Sequence, residues 1–133
     1  MTNQELYNLA GIQLNLIESG ASLSTQDSND MMRIMNEMMA AMVVSDMDMN
    51  YFPQDTLSAT SPIPVWAEKA IPSMFAVDAS AEFNTVPSPV VLKKASEGEE
   101  LIGRTLMNHN LEQADMTHLN QGRNINYNNI TDG

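Results

Sequence analysis

Residues 31 to 42 read Met31-Met32-Arg33-Ile34-Met35-Asn36-Glu37-Met38-Met39-Ala40-Ala41-Met42, and the fold turns on this stretch. Apolar groups recur at Met31, Ile34, Met35, Met38, Met39 and Met42, the three-then-four spacing of an amphipathic helix. Arg33, Asn36 and Glu37 then point mostly outward. With Met47 and Met49 included, eight of the twelve methionines lie between residues 31 and 49. Such a face must be buried, either in the core of a small helical domain or against a partner. Thioether side chains are flexible and polarizable, so they also suit a surface that repacks when a partner arrives. Met35, Met38, Met39 and Met42 are therefore candidates for a subunit interface.

Working outward, residues 3 to 17 carry Leu6, Leu9, Ala10, Ile12, Leu16 and Ile17 as the face of a first helix, with Glu5 in its first turn. Ser19-Gly20-Ala21-Ser22 breaks it, and Ser24 or Thr25 can cap a second helix that runs to about Val44. Ser45 to Ile63 shows no sustained period and reads as a long loop pinned by Tyr51-Phe52. A loop of that length in a compact domain tends to be functional or ordered by a partner.

Pro64 opens a third helix with Ala67, Ala70, Ile71, Met74 and Phe75 buried and Trp66 nearby, ending near Phe83. Pro72 falls inside this pattern and predicts a kink or break. Ser88-Pro89 opens a fourth helix reaching about Asn110, with Leu92, Ala95, Ile102 and Leu106 inward and Gly103 marking a close approach. After residue 111 the apolar period fades. Ile125, Tyr127 and Ile130 alternate with asparagines, the pattern of an extended arm that orders on a neighbour. The expectation is an all-α fold: a bundle of about four helices, with the long loop between helices two and three. Residues 1–110 form its domain and residues 111–133 the extended C-terminal arm.

Composition narrows the function. At 133 residues the chain is one domain's worth, expected to bury roughly two thirds of its unfolded surface. It has no cysteine, which removes disulfides and thiol chemistry. No apolar run approaches the roughly 20 residues of a membrane span, and the polar start lacks the basic opening of a signal peptide. A soluble, unsecreted chain without membrane contact is expected. The net charge of −11 is the wrong sign for gripping nucleic acid.

Catalytic constellations are also missing. His109, Glu112, Asp115 and His118 are spaced three apart, but such steps drift about 60° around a helix and separate the two histidines. Adjacent Glu99 and Glu100 face different directions. There is no Gly-rich phosphate loop, no Gly-x-Ser-x-Gly and no His beside a credible nucleophile. The expectation is a protein that is not an enzyme and takes no cofactor or metal.

The order of elements, with Ile34-Met35-Asn36-Glu37-Met38-Met39 in helix two, Ile63-Pro64-Val65-Trp66-Ala67-Glu68-Lys69-Ala70-Ile71 after the loop, and Val86-Pro87-Ser88-Pro89 before the last helix, resembles one family. It is the head-to-tail connector of short-tailed bacteriophages, also called the head-completion, packaged-DNA stabilization or tail accessory factor. The resemblance covers residues 5 to 107. The chain departs from the pattern at Pro72, in lacking a Trp after helix two, and in Ser19-Gly20 where Leu-Gly is usual.

The resemblance implies a virion protein of the neck between head and tail, assembled in the host bacterial cytoplasm. Its copies would form a homo-oligomeric ring, a dodecamer matched to the portal, that closes the head after DNA packaging. The arm, through Ile125, Tyr127 and Ile130, would dock on the portal protein. A downstream tail component, nozzle or tail hub, would bind below, and DNA would pass through the lumen without specific binding. The alternative from charge and size is a small acidic helical interaction protein or a DNA-mimic inhibitor, which would need carboxylates spaced like phosphates and would bind in a salt-sensitive way.

Overall fold

A computed structural model of the protein describes residues 1–125, with side-chain surroundings for residues 1–108. Among these residues there are four helices and no strand: α1 (Asn3–Gln13), α2 (Thr25–Val44), α3 (Ile71–Ser80) and α4 (Pro89–Ile125), with a single 3₁₀ turn at Val65–Ala67. The chain is all-α, a small helical bundle with the long loop between α2 and α3. It divides into two units, Met1–Ile102 and Gly103–Gly133. Among the described residues no helix is long and apolar enough to cross a membrane.

α2 begins where Ser24 caps it, the serine side chain accepting from Asp27 N. Its methionine face is the chain's own core: Met31, Ile34, Met35, Met38, Met39 and Met42 are all buried. Each such side chain contributes about 1.5–3 kcal/mol of burial before entropy is counted. Against it pack Leu6, Tyr7, Ala10 and Leu14 of the α1 segment and Ile71, Phe75, Ala76 and Ala79 of α3. Tyr7 and Phe75 meet edge-on at 5.8 Å and 60°. The expected α1 face is shifted: Tyr7 and Leu14 are inside, whereas Leu9 is exposed.

Three helix ends share one device. The N–H of Leu16 reaches Gly11 O and that of Asn15 reaches Ile12 O; Met47 and Asp46 do the same to Met42 and Val43, and Thr85 and Asn84 to Ser80 and Ala81. In each case the residue at the turn is left-handed: Asn15 at φ 59°, Asp46 at 62° and Asn84 at 58°. Short polar side chains tolerate that conformation and let the chain turn without glycine. α1 therefore stops at Gln13, four residues before the expected Ile17.

Pro72 does not kink a helix begun at Pro64. The Val65–Ala67 turn ends first, and Pro72 stands at the start of α3, where its missing N–H has no helical partner to lose. α4 is capped by Ser88, whose hydroxyl accepts from Val91 N. Within the first unit α4 lies on the core along Val91, Gly98 and Ile102, while Leu92, expected inside, is exposed. The close approach is at Gly98 rather than Gly103. A Cβ on Gly98 would sit 3.0 Å from Ala70 Cβ and 3.1 Å from its carbonyl oxygen, whereas one on Gly103 would meet nothing within 4 Å. α4 also continues to Ile125, past the expected end at Asn110 and through residues expected to be extended. Tyr127 and Ile130 lie outside the described residues.

Gly98→Ala is expected to lose about 1 kcal/mol in urea unfolding, because crowding against the Ala70 backbone outweighs the gain in helix propensity. Gly103→Ala, with open space, should stabilise the helix by about 0.5–1 kcal/mol, and the opposite signs are the check.

Candidate functional site

The loop between α2 and α3 is fixed at both ends. At its far end Asn3 N donates to Ala59 O and Gln4 N to Leu57 O, both at 2.9 Å, and Ser61 N donates to Met1 O. Glu5 N is taken by Thr2 Oγ1, and the Glu5 carboxylate accepts from Thr2 N at 2.7 Å. The first N–H groups of α1, which no helix can satisfy internally, are thus held by the loop and a capping box. The bond from the Thr2 backbone, followed by that from its side chain, holds the Glu5 carboxyl below its ordinary range.

At its near end the loop hangs on Asn36. Its Oδ1 accepts from Tyr51 Oη at 2.5 Å and from Gln54 N at 3.0 Å, and its Nδ2 donates to Gln54 O at 3.0 Å. Gln54 is buried; its Oε1 accepts from Asn3 Nδ2 at 2.9 Å and its Nε2 donates to Phe52 O at 2.9 Å. Asn36, placed on the outward face by the sequence pattern, is half-buried because the loop returns over it. Between the two anchors Tyr51 and Gln54 stand Phe52 and Pro53, both exposed, with Phe52 at 61 %. Tyr51 pins the loop as expected; Phe52 does not, and is presented to solvent.

Three grooves open on the first unit; the largest, of about 670 Å³, runs along α1 past Met1, Glu5, Leu9, Ile12 and Gly20, and two lie against α4. One, of about 580 Å³, lies between α1, the start of α3 and α4, with Leu9, Pro72 and Leu101 as apolar lining and Lys69, Lys94, Glu68 and Glu97 as its charges. Gln13 also lines it, and its Oε1 is buried without a hydrogen-bond partner. The other, of about 420 Å³, lies between α2, α3 and α4; Met42, Met47, Met74 and Leu92 line it, and its charges are Asp78 and Glu99. Partial burial and the nearby Glu37 carboxylate hold the Asp78 carboxyl above its ordinary range. Arg33 pairs with Glu37 and Glu82 and ties α2 to the end of α3.

The residues expected to form a subunit face are placed elsewhere. Met35 and Met39 are sealed at 1 % exposure, while Met38 and Met42, at 8 % and 5 %, show only their edges in the second groove. The stripe is thus covered by its own chain, with only Met38 and Met42 reaching a groove. Ile125 ends α4. His109, Glu112, Asp115 and His118 lie in α4 beyond the residues whose side chains are described. Among the described residues no group of three or more potential metal ligands comes together. The chain matches no protein-family model and no curated protein.

Asn36→Ala is expected to cost about 2–3 kcal/mol in urea unfolding, against about 1 kcal/mol for Tyr51→Phe, since the amide serves three bonds and the phenol one. Burial pushes the Tyr51 hydroxyl up to about 12, above the ordinary value near 10. The folded protein holds this proton longer than the unfolded chain, so stability should fall as pH rises from about 10 to about 12. Tyr51→Phe should remove part of that fall. Tyr7, raised in the same direction by burial and by Tyr51, accounts for another part.

Proposed function

We propose that the protein is a structural virion component, a ring-forming adaptor between a phage portal and the tail that closes the head after DNA packaging. The observation that carries this reading is the order of elements: α1, α2, a long loop tied down at both ends, an Ile63-Pro64 opening before α3, and a Ser88-Pro89 opening before a long α4. The same order underlies the family resemblance.

The surface supports the reading in a second way. A ring is built from head-to-tail contacts, so each copy needs two different faces. A fixed, exposed aromatic on the loop and an open groove elsewhere on the same unit are surfaces of that kind. Charge is consistent with the role. All acids except Glu112, Asp115 and Asp132 belong to the first unit, against four cations, Arg33, Lys69, Lys93 and Lys94. A wall of that sign repels phosphates, as a passage for DNA should. The segment after residue 111 supplies the portal contact, and the tail component binds on the opposite side of the ring.

Solution mass by light scattering, for the protein alone and mixed with the portal protein encoded near it, tests this reading. The expected result is a small species alone and a large, near-stoichiometric complex in the mixture, lost on deletion of residues 111–133 with the helices of the first unit retained. No complex across a range of salt concentrations would overturn it. Salt-sensitive capture of a DNA-handling enzyme in its place would favour the DNA-mimic alternative.

A further inference from the structure

Phe52 is the most exposed aromatic residue among the described residues, and the backbone that carries it is held. Asn36 grips the residues on either side of the Phe52-Pro53 pair, and Gln54 Nε2 holds the Phe52 carbonyl. An aromatic immobilised before contact loses little entropy on binding, which is the property of an interface anchor. The segment around it, Asp46 to Leu57, carries Asp46, Asp48 and Asp55 and no cation.

Each of the three grooves could take an aromatic, and charge separates them: the one along α1 has Glu5 as its only charged side chain and would repel this segment. The groove between α2, α3 and α4 has only Asp78 and Glu99 and would repel this segment. The groove between α1, α3 and α4 holds Lys69 and Lys94, two of the four cations of the first unit, although Glu68 and Glu97 also line it. Its apolar lining of Leu9, Pro72 and Leu101 suits a phenyl ring. Gln13 adds a polar side chain to that lining. The backbone N–H of Phe52 finds no acceptor among the described residues of its own chain.

We infer that the occupant of this groove is the loop of a second copy: Phe52 enters between Leu9, Pro72 and Leu101, and the aspartates around it face Lys69 and Lys94. Knob and groove are different patches on one unit, so the contact is head-to-tail and propagates from copy to copy. The inference rests on the ring-adaptor reading for its purpose and specifies how neighbouring copies join.

The absence of cysteine allows a direct test on the full chain. Pro53→Cys stands beside Phe52, and Glu97→Cys lines the groove at an exposed position; neither removes the ring, the lysines or a core residue. The double variant is oxidised alone and in the mixture with portal protein, and the products are resolved under non-reducing conditions. The expected result is a ladder of covalent multimers from the double variant, dimers only when the two single variants are mixed, and at least about a tenfold drop in ladder yield on adding Phe52→Ala or Lys69→Glu with Lys94→Glu.

A portal complex without a ladder overturns the inference and leaves the adaptor reading standing. A ladder without any portal complex does the reverse. Equal yield with Phe52→Ala, or a ladder obtained when Ser96→Cys in the other groove replaces Glu97→Cys but not otherwise, also overturns it.

Discussion

A single amide on α2 fixes the loop between α2 and α3, and through it the start of the chain. Asn36 uses both ends of its side chain on the loop, accepting from the Tyr51 hydroxyl and the Gln54 amide and donating to the Gln54 carbonyl. Gln54, so placed, meets Asn3 at the head of α1, and the following residues satisfy the N–H groups of Asn3 and Gln4. One polar contact on the middle helix thus closes a circuit running from α2 through the loop to the start of the chain. The circuit is buried at Asn3 and Gln54 and half-buried at Asn36 and Tyr51, and a satisfied polar network of this kind specifies one arrangement. A loop in the long range that a compact domain seldom leaves unstructured has become a fixed element.

That constraint explains why the molecule has two kinds of surface. The apolar content of the first unit is largely used in holding α1, α2 and α3 together, with Met31, Met35, Met39, Ile71 and Phe75 at or below 1 % exposure. Exposed apolar groups remain at the margins, Val44, Val65 and Val86 among them, together with a phenyl ring raised between two anchors and grooves left where α4 crosses the core. These grooves exist because Gly98 lets α4 seat on Ala70 along a narrow line, leaving open space on both sides of it. A methionine-rich helix suggested an adaptable partner surface, yet its methionine face fills the core, and an aromatic on a held loop is among the exposed groups.

Much of this could be read from residues alone, and the reasons differ for what could not. The α2 face was legible because burial imposes a helical period on six positions at once, and the caps Ser24 and Ser88 were legible because few residue types serve there. The loop was legible only as a lack of period. Asn36 was hidden: an asparagine on the polar side of a helix looks solvated, and only the return of Tyr51 and Gln54 gives it partners. Asn15, Asp46 and Asn84 ended helices in the role usually signalled by glycine, so α1 read four residues too long. Pro72 signalled interruption correctly, but spacing could not say that a helix starts there. Gly98, set between Glu97 and Glu99, carries no local sign of a packing role, which only Ala70, far away in sequence, gives it.

The central claim is that the loop between α2 and α3 is a preorganised, presented surface rather than a connector. Backbone ¹⁵N relaxation across residues 45–64 measures this most directly. The clamp requires order parameters at Tyr51, Phe52 and Gln54 as high as those in α2, about 0.85, and a clear drop at Phe52 in Asn36→Ala. Values below about 0.6 at these positions in the unmodified protein would contradict the account, because an aromatic on a loose tether is not a surface that the fold has built.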